Sequence, residues 1–543
     1  MRRLRQEGLV TAGQRVDVAI IGSGFSGTLL ALALRRRGRS VALVEAGRHP
    51  RFAIGESSTP LANLLFEEIA SEYDLPRLAP LAKWSTWRRA YPELPVGLKR
   101  GFSFFHHRHG EPFADGPDHA RQLLVAASPH DGIADTHWYR ADFDAFLARE
   151  AVEAGADLFE ETRVVGLDLP AHGDATLDLE RAGARRSLRA GFVVDASGPR
   201  GALSRLLQLP ERPLRWLPPT QALFTHFEGV ARWDSLAPGP RSLAPDPWPL
   251  ASEPPFPIDD AALHHVFEGG WIWVLRFNNG ITSAGAALTD PLAAEIGAAD
   301  GAPAWERLLE RLPSVRAQFE SACAVLPFVY SPRLAYRSAV VCGPRWALMP
   351  SAAGVVDPLL STGFPLTLLG VQRLASLLTT TQDDGTRERE LQDYAARTLR
   401  ELDATERLVG ALYGAMHRFA RFKRLALLYF AAAVYSETAR RLGRPAMAPG
   451  FLLCDHPGFA SAMTAICEAA GRLGPDDGAG EAELAATIDA AIAPFDLAGL
   501  GDRSRRDWYP VLADDLVAAR HKINASAAEI AALLERCGFE CRV

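Results

Sequence analysis

The amino-acid sequence predicts an α/β fold with a Rossmann-like βαβ unit at its start, further strands in its middle and helices in its last part. Three observations lead to this prediction. An apolar run at 16–21 passes directly into a G-x-G-x-x-G motif at 22–27. Strand-like patterns resume at 264–288, and the pattern after Gly363 is helical almost to the end of the chain.

The βαβ unit is the first element. Its strand at 16–21 is followed by a helical pattern at 28–37 and by a second apolar run at 41–44 that ends at Glu45. This is the context in which a glycine motif binds a dinucleotide, with the pyrophosphate at the helix N-terminus and the acidic residue on the ribose hydroxyls. A glycine-rich turn without a ligand is the alternative, and the flanking strands disfavour it.

Each glycine of the motif has its own expected role. Gly22 permits the tight turn, Gly24 lets the backbone approach the pyrophosphate, and Gly27 lets helix and strand pack closely.

Length and composition fit a large soluble enzyme. At roughly 150 residues per domain, 543 residues allow three or four such units, and the 48% hydrophobic fraction supplies a core. The net charge of −6, from 59 basic and 65 acidic residues, gives no reason to expect a nucleic acid as partner.

The six cysteines are scattered and form no C-x-x-C pair. We therefore expect free thiols in a reducing cytosol, and hence a cytoplasmic protein, rather than a zinc site or a disulfide framework. The basic segment 1–14 has no apolar core and is not expected to be a secretory signal.

The most membrane-like segment is 425–435, which basic residues flank. It is too short to span a bilayer, which takes about 20 apolar residues. It could lie on a membrane surface, but a buried helix that lines a substrate pocket is the favoured interpretation.

The remaining elements follow in chain order. A glycine- and hydroxyl-rich turn at 54–60 begins a helix at 61–73, and a further helix is predicted at 142–155. The proline-rich segment 212–257 has little periodicity and predicts a long irregular excursion. A short buried strand is predicted at 345–349. The helical pattern after Gly363 is interrupted at 379–385 and at 471–480, which predicts several separate C-terminal helices.

Taken in this order, the motifs resemble those of flavin-dependent halogenases, which share the fold of p-hydroxybenzoate hydroxylase-type flavoprotein monooxygenases. Besides the segment 22–27 with Glu45, the likeness rests on Gly55-Glu56-Ser57, on Arg140 with Phe143 and Asp144, on Asp195-Ala196-Ser197-Gly198, and on 353–363, which matches A-G-x-x-D-P-x-x-S-T-G.

The resemblance implies FAD as cofactor, an inserted antiparallel sheet and a C-terminal helical domain. The implied core is 1–370, with the inserted substrate-side sheet at about 90–140 and 205–330, and the implied helical domain, 371–543, caps the substrate pocket. The residues expected to bind FAD are Gly22, Gly24, Phe25, Ser26, Gly27, Glu45, Gly55, Glu56, Ser57, Arg140, Asp195, Gly198, Ser351, Gly354, Asp357 and Pro358.

Two segments resemble features that separate halogenases from their hydroxylating relatives. Lys99 opens a K-x-G-x-x-F segment, and 271–276 resembles W-x-W-x-I-P except that Leu275 and Arg276 stand in place of Ile-Pro. The likeness is greatest to halogenases of small free phenols. Leu360 occupies the position at which halogenases of tryptophan have a glutamate.

The resemblance also implies the chemistry. Reduced FAD, dioxygen and chloride or bromide give hypohalous acid, and Lys99 directs the halogen to an electron-rich aromatic ring, either as an ammonium that hydrogen-bonds the acid or as an amine that forms a haloamine. Residues 361–363 (Ser361, Thr362 and Gly363) are expected to bind the halide, and Trp271, Trp273 and Phe104 to line the passage to the substrate.

Plainer interpretations stay open at this point. Lys99 could be a solvated surface lysine, and the two tryptophans could simply be core. The alternative function is a halogenase-like monooxygenase or oxidase, to which Leu275-Arg276 and the absence of the usual Gly-Asp at 350–351 both point. A flavin-binding sensor without catalytic activity is a third option.

The expected partners are a separate flavin reductase, because only one dinucleotide motif is present, and a small aromatic substrate, free or tethered to a carrier. Single-component hydroxylases of this fold also have one such motif, so the reductase stays an expectation. The histidines at 106, 107, 109, 264 and 265 lack the companions of a metal site, so no metal is expected. Glu268 is a candidate base, and the oligomeric state is left open, a homodimer included.

Overall fold

The computed structural model describes residues 14–116, 118–170, 172–236, 253–380, 383–474 and 477–539. Two large sheets with packed helices and a helical C-terminal region confirm the predicted fold class. The strands are β1 (Arg15–Ile21), β2 (Val41–Val44), β3 (Val96–Lys99), β4 (Gly101–His106), β5 (Gln122–Ala126), β6 (Asp135–Trp138), β7 (Asp157–Phe159), β8 (Arg163–Asp168), β9 (Ala175–Arg181), β10 (Ala184–Asp195), β11 (Thr220–Glu228), β12 (Ala262–Phe267), β13 (Gly270–Arg276), β14 (Thr282–Thr289), β15 (Cys323–Ala324), β16 (Val329–Ser331), β17 (Tyr336–Arg337), β18 (Cys342–Gly343), β19 (Trp346–Leu348), β20 (Gly354–Val355) and β21 (Trp508–Tyr509).

The helices confirm the predicted breaks in the C-terminal region, since one helix ends at Thr380 before the next begins at Asp384, and another ends at Arg472 before Gly478. They are α1 (Phe25–Arg36), α2 (Pro60–Glu72), α3 (Trp84–Ala90), α4 (Arg140–Glu153), α5 (Ala202–Leu206), α6 (Asp290–Glu295), α7 (Ala302–Glu310), α8 (Pro313–Phe319), α9 (Pro350–Ala353), α10 (Gly363–Thr380), α11 (Asp384–Ala415), α12 (Phe419–Arg441), α13 (Pro457–Arg472), α14 (Gly478–Ile492), α15 (Ala513–Ala519) and α16 (Ala527–Arg536).

The first sheet has the order β18-β19-β10-β1-β2-β7, and β19, β10, β1, β2 and β7 run parallel. At 18–21, 41–44 and 192–194 its central strands are apolar and buried, because helices cover both faces of such a sheet. Ile21 is in register with Val44 on one side and with Asp195 on the other. The carboxyl ends of β1, β2 and β10 therefore meet at one edge, where an open α/β sheet binds its ligands.

The second sheet has the order β15-β11-β14-β13-β12-β4-β5-β21 and is mainly antiparallel. Its member β11 corrects the prediction of an irregular excursion at 212–257, because Thr220–Glu228 is a strand that pairs along its length with β14. Seven of its nine residues are buried, so the apolar and polar alternation that marks a strand with one solvated face is missing. Residues 237–252 of the same segment lie outside the described part of the chain.

The two faces of this second sheet belong to different cores. Phe102, Phe104 and Trp271 face the core that is shared with the C-terminal helices, whereas Phe105 and Ile272 face a separate core beneath α7 and α8. Helix α12 packs on the first of these faces, and it contains the apolar segment 425–435, which is a mostly buried helix as the favoured interpretation expected. None of the helices in the described ranges has the length and apolar character that crossing a membrane requires.

A two-stranded ribbon lies between the second sheet and the turn that precedes α2. Strands β3 and β6 pair antiparallel, with Lys99 opposite Asp135 and Gly97 opposite His137. His137 also forms an isolated bridge with Ser57. The ribbon thus places Lys99 beside the turn that begins α2.

A glycine in β14 makes room for one of the predicted tryptophans. Gly285 lies opposite Trp273 on β13 and opposite Phe224 on β11, and a Cβ at this glycine would overlap with both side chains. We expect Gly285→Ala to lower the free energy of unfolding by about 1–3 kcal/mol, because a filled core does not accept an added methyl group. Urea unfolding followed by tryptophan fluorescence measures this change.

Gly414→Ala in α11 is the matched control. A Cβ there would have open space around it, and alanine favours a helix over glycine, so this variant should be stabilised by up to about 1 kcal/mol. Equal stability of the two variants would contradict the assignment of Gly285 as a packing position.

Candidate active site

The glycine motif occupies the sheet edge described above, and its three glycines differ in their surroundings. Gly22 has a φ of +99°, and a Cβ there would lie 2.6 Å from the Ala196 oxygen, while one at Gly27 would overlap with the Gly22 oxygen. A Cβ at Gly24 would instead face two guanidinium groups and one carboxylate, 3.5 Å from Arg140, 3.5 Å from Asp144 and 3.7 Å from Arg51. With two guanidinium groups and one carboxylate around it, this backbone segment at the start of α1 keeps a net positive charge, which fits an anionic pyrophosphate.

Glu45 is buried at the end of β2, as the dinucleotide prediction placed it. Its carboxylate accepts hydrogen bonds from the Ser23 amide (3.0 Å), the Gly47 amide (2.9 Å) and the Arg51 guanidinium (3.1 Å). Burial opposes ionisation, but these hydrogen bonds and the Arg51 charge outweigh it and keep the pKa of Glu45 below its ordinary value. An ionised carboxylate at this point suits ribose hydroxyls as donors.

Arg140 organises the predicted flavin side of this edge. It makes two hydrogen bonds to Asp144, of 2.8 and 2.7 Å, donates to the carbonyl oxygens of Ile54 and Gly55, and lies over the Phe25 ring at 4.8 Å. Ser26 is buried in the same first turn of α1. The bidentate pair fixes the guanidinium, so Arg140 joins α1, α4 and the turn at 54–57.

The turn at 54–57 is held from a second side as well. Glu56 is buried, and both of its carboxylate oxygens lie within 3.3 Å of the His226 Nε2 atom on β11. The Glu56 carbonyl accepts a hydrogen bond from the Trp138 amide. Its side chain therefore anchors the turn to the second sheet, a contact that the sequence did not predict.

Asp195 and Gly198 lie where β10 ends. The Asp195 carboxylate is buried and accepts hydrogen bonds from Ser197 and from the Leu203 amide, which shape the turn. Gly198 has a φ of +88°, and the space around its Cβ position is open. The turn therefore leaves room at the edge that also carries the glycine motif.

The second predicted flavin segment lies between β19 and α10. Ser351 is half-buried in α9, Gly354 packs against Leu402 of α11, and Pro358 is half-buried. Asp357 is buried, and its carboxylate accepts hydrogen bonds from the Trp271 indole (3.2 Å), the Tyr413 hydroxyl (2.8 Å) and the Leu359 amide (2.9 Å). Burial raises the pKa of Asp357 to about 7, although these hydrogen bonds oppose the rise.

The expected halide segment follows directly. Leu360 and Ser361 both have left-handed backbone conformations, with φ of 66° and 54°, which side-chain-bearing residues adopt at a cost and which recur at functional sites. Ser361 and Thr362 are buried, whereas Gly363 is exposed and a Cβ there would have open space. Within this turn the Ser361 amide donates a hydrogen bond of 3.0 Å to the Pro358 carbonyl oxygen.

Lys99 lies between the two predicted flavin segments, 54–57 and 353–363. Its side chain is 0% exposed, so the interpretation as a solvated surface lysine is wrong. The ammonium donates to the Ser57 hydroxyl (2.9 Å), the Ser58 carbonyl and the Ser361 hydroxyl (3.5 Å). It also lies 3.8 Å from the centre of the Phe102 ring. Burial lowers the pKa of Lys99 to about 7, and the carboxylate of Asp135 opposes the shift.

Several polar groups around Lys99 were not predicted from the sequence. Asp135 lies opposite Lys99 on β6, and Asn63 on α2 donates a hydrogen bond of 3.0 Å to the Asp135 carboxylate. The charge of Lys99 contributes to the lowered pKa of His264, and the charge of Asp135 contributes to the raised pKa of Tyr429. The signal that could have identified this site is Asp135, a carboxylate at the start of a buried strand, five residues before Arg140.

The predicted passage residues form a continuous aromatic face. Phe104 stacks on His264 with ring centres 4.3 Å apart, His264 lies 5.2 Å from Trp271, and Trp271 lies 5.6 Å from Trp273. All four rings are buried. They connect the strand that follows Lys99 with Asp357, and both tryptophans are core residues. Their role as a wall between flavin and substrate stays a prediction.

The departure at Arg276 has a structural account. Its guanidinium pairs with Asp259 at 3.0 Å and donates to the carbonyl oxygens of Val230 and Ala231. Its backbone oxygen lies so close to Gly97 that a Cβ there would overlap with it. Arg276 therefore ties the end of β13 to the loop after β11 and keeps β3 close to the second sheet.

The histidines are used in packing and in hydrogen bonds. His107 and His265 contact each other at 2.9 Å, and His265 also contacts Gln318 at 2.8 Å. His106 stacks on Phe419. Within the described part of the chain, no group of three or more His, Cys, Asp and Glu side chains is arranged to hold a metal ion. Glu268, the candidate base, is exposed in the turn between β12 and β13.

Comparisons with known proteins show the family of this chain. The family model for FAD-dependent oxidoreductases matches residues 17–332, which is more than half of the chain. Monodechloroaminopyrrolnitrin halogenase PrnC of Pseudomonas fluorescens is 32% identical over 410 residues, which cover 74% of this chain and 68% of that protein. The chain belongs to the flavin-dependent halogenases.

Two further halogenases support this membership. Tetracycline 7-halogenase of Kitasatospora aureofaciens is 33% identical over 356 residues, which cover 64% of this chain and 60% of that protein. A crystal structure of halogenase PltM in complex with phloroglucinol and FAD has a TM-score of 0.77 and 25% identity, with 90% of this chain and 99% of that chain covered. The expectation of a FAD-dependent halogenase is thereby confirmed.

The burial of Lys99 in this halogenase has a measurable effect on stability. Between pH 7 and the ordinary pKa of a lysine, the unfolded chain keeps a proton that the folded chain has lost, so this group makes stability rise with pH. We expect Lys99→Met to raise the melting temperature by roughly 2 °C or more at pH 7. The gain should shrink as the pH approaches 10, which paired calorimetric scans would record.

Lys83→Met is the control for that experiment. Lys83 is half-buried and pairs with Glu67 at 3.1 Å, so its loss should change the melting temperature by a similar amount at every pH. A gain for Lys99→Met that stays constant from pH 7 to 10 would contradict the assignment of a desolvated ammonium.

Proposed function

We propose that this halogenase attaches chlorine or bromine to a small, electron-rich phenol, using hypohalous acid that Lys99 delivers. The observation that carries the proposal is the position of the buried Lys99 ammonium, within hydrogen-bonding distance of Ser57 in one predicted flavin segment and of Ser361 in the other. A lysine that only filled space in a core would be replaced at lower cost by an apolar side chain.

The cofactor's place in this proposal follows from the residues at the sheet edge. Gly24 and the two guanidinium groups beside it would hold the pyrophosphate of FAD, and Glu45 the ribose. When bound and reduced, the flavin would activate dioxygen, and the activated oxygen would oxidise chloride or bromide to hypohalous acid. The halide would be bound at Ser361, Thr362 and Gly363, where Leu360 brings no negative charge. The Thr362 and Gly363 amides and the Ser361 hydroxyl would be its contacts, because the Ser361 amide already donates to the Pro358 carbonyl oxygen at 3.0 Å.

The role proposed for Lys99 is to hold hypohalous acid and raise its reactivity. As an ammonium it donates a hydrogen bond to the oxygen of the acid and supplies the proton that turns the departing hydroxide into water. A pKa near 7 suits this task, because a general acid is most effective when its pKa lies close to the working pH. The ordinary pKa of an exposed lysine would make it a weaker acid.

A phenol suits the surroundings of Lys99. Phe102, Phe104 and Trp271 provide flat apolar contacts for an aromatic ring, while Asp135 and Asn63 provide polar contacts at one side. The complex of PltM with phloroglucinol is a precedent for a small phenol in a related structure. We further propose a separate flavin reductase as partner and a cytoplasmic location, in accord with the single dinucleotide motif.

The deciding experiment supplies reduced FAD from an added reductase, together with dioxygen, chloride or bromide, and a panel of free phenols. Wild-type protein should give halogenated products that mass spectrometry identifies. Lys99→Met should lower their rate about 100-fold or more, because it removes both the hydrogen bond to hypohalous acid and the proton. Lys83→Met should keep the wild-type rate.

Flavin affinity separates a catalytic role of Lys99 from a structural one. Lys99→Met should bind FAD within about threefold of wild type, since the contacts expected for the cofactor lie on Gly24, Arg140 and Glu45. Hydroxylated products that survive the substitution would refute the proposal and support the alternative monooxygenase. Loss of FAD binding would make Lys99 a structural residue.

A further inference from the structure

Asp135 is a buried carboxylate, and only one of its two oxygens has a hydrogen-bond partner among the described residues. It lies directly opposite Lys99 in the β3–β6 ribbon, so the two Cβ atoms are about 5 Å apart on the same face. Its Oδ1 atom accepts the hydrogen bond from Asn63, while Oδ2 is buried and has no hydrogen-bond partner among the described residues. Since buried polar atoms are nearly always paired, Oδ2 should bind a partner that none of the described residues supplies.

Lys99 does not fill that position. Its ammonium donates to Ser57, Ser58 and Ser361, so Lys99 and Asp135 each have their own hydrogen-bond partners. Their charges nevertheless interact, because each influences the titration of the other. A small polar group seated at Oδ2 would therefore lie close to the reagent that Lys99 is proposed to hold.

The other groups near Asp135 are poor substitutes for it. Burial lowers the pKa of His264 to about 3 and holds the pKa of His137 well below its ordinary value, so both rings are neutral and weakly basic. Helix α12 contributes the remaining nearby groups, which are Tyr429, Glu437 and Arg441.

We propose that Asp135 is a catalytic residue whose Oδ2 atom binds the hydroxyl group of the phenol and takes its proton during halogenation. The inference rests on the proposed function and adds the residue that recognises the substrate class. Asn63 orients the carboxylate through Oδ1, and burial raises the pKa of Asp135, which makes it a stronger base than an exposed carboxylate.

Lys99 and Asp135 together account for every proton that is transferred in this reaction. The ring forms the carbon–halogen bond with its π electrons, the oxygen–halogen bond of hypohalous acid breaks, Lys99 gives a proton to the departing hydroxide, and Asp135 takes the phenol proton. The product at this stage is a halogenated dienone and water. Loss of the ring proton to the Lys99 amine and return of the Asp135 proton to the oxygen restore the aromatic ring and both side chains.

The test compares a phenol with its methyl ether on wild type and Asp135→Asn. Wild type should halogenate the phenol about 100-fold faster than the ether, which has no proton to give and cannot donate to Oδ2. Asp135→Asn should slow the phenol reaction about 30-fold or more and leave the ether rate within about threefold, so that the preference nearly disappears. Formation of hypohalous acid, measured with a β-diketone trap, should stay within about twofold of wild type.

Binding gives a readout that does not depend on turnover. Calorimetric titration of the protein loaded with oxidised FAD should show the phenol binding about tenfold more tightly than its ether to wild type, and about equally to Asp135→Asn. Asp131→Asn is the control, because Asp131 is exposed and pairs with Arg100, and it should keep the wild-type preference. Asp135→Glu, which retains a base, should recover part of the phenol preference and serves if Asp135→Asn does not fold.

The possible failures are distinct. Absence of halogenated products from wild type would refute the proposed function, whereas the calorimetric preference would still test Asp135 as a binding residue. An unchanged preference for phenol over ether in Asp135→Asn, or an equal loss of both reactions and of hypohalous acid formation, would overturn the assignment of Asp135.

Discussion

The free-energy cost of burying the Lys99 ammonium is the constraint on which the site depends. A lysine without solvent exposure stays charged only if oxygens replace its lost water, and here the oxygens come from Ser57, Ser58 and Ser361. Two of these residues begin α2 and the third lies in the left-handed turn before α10. The ammonium therefore depends on oxygens from both predicted flavin segments.

That requirement explains several features elsewhere in the chain. The ribbon of β3 and β6 must reach from the second sheet to the turn at 54–57, and it does so because Gly97 packs against the Arg276 backbone and Ser57 bridges to His137. Arg276 holds its own strand end through Asp259 and the loop after β11. A proline at that position could not make these contacts, so the departure from the family pattern is a local alternative way to fix the same strand.

How much could be predicted from the sequence depended on whether the signal was local. The strand, glycine turn and helix at 15–36 were predicted to within a few residues because each carries its own periodicity and turn chemistry. Strand β11 was missed because it is buried on both faces and flanked by prolines. Asp135, Asn63 and Tyr413 were missed because their roles depend on pairing across more than 30 residues of chain, which no local pattern records.

The hydrogen-bond partners of Asp357 could not be inferred from its sequence motif. The sequence places it in a flavin segment, yet its carboxylate is bound by the Trp271 indole and the Tyr413 hydroxyl, which belong to the second sheet and to the C-terminal helix α11. Both donors must be aligned for this buried carboxylate to be satisfied. Since Leu359 and the left-handed turn follow directly, any movement of the aromatic face or of α11 would also move the turn that meets Lys99. The C-terminal helices are thus coupled to the proposed halide segment through one carboxylate, as well as closing over the aromatic face.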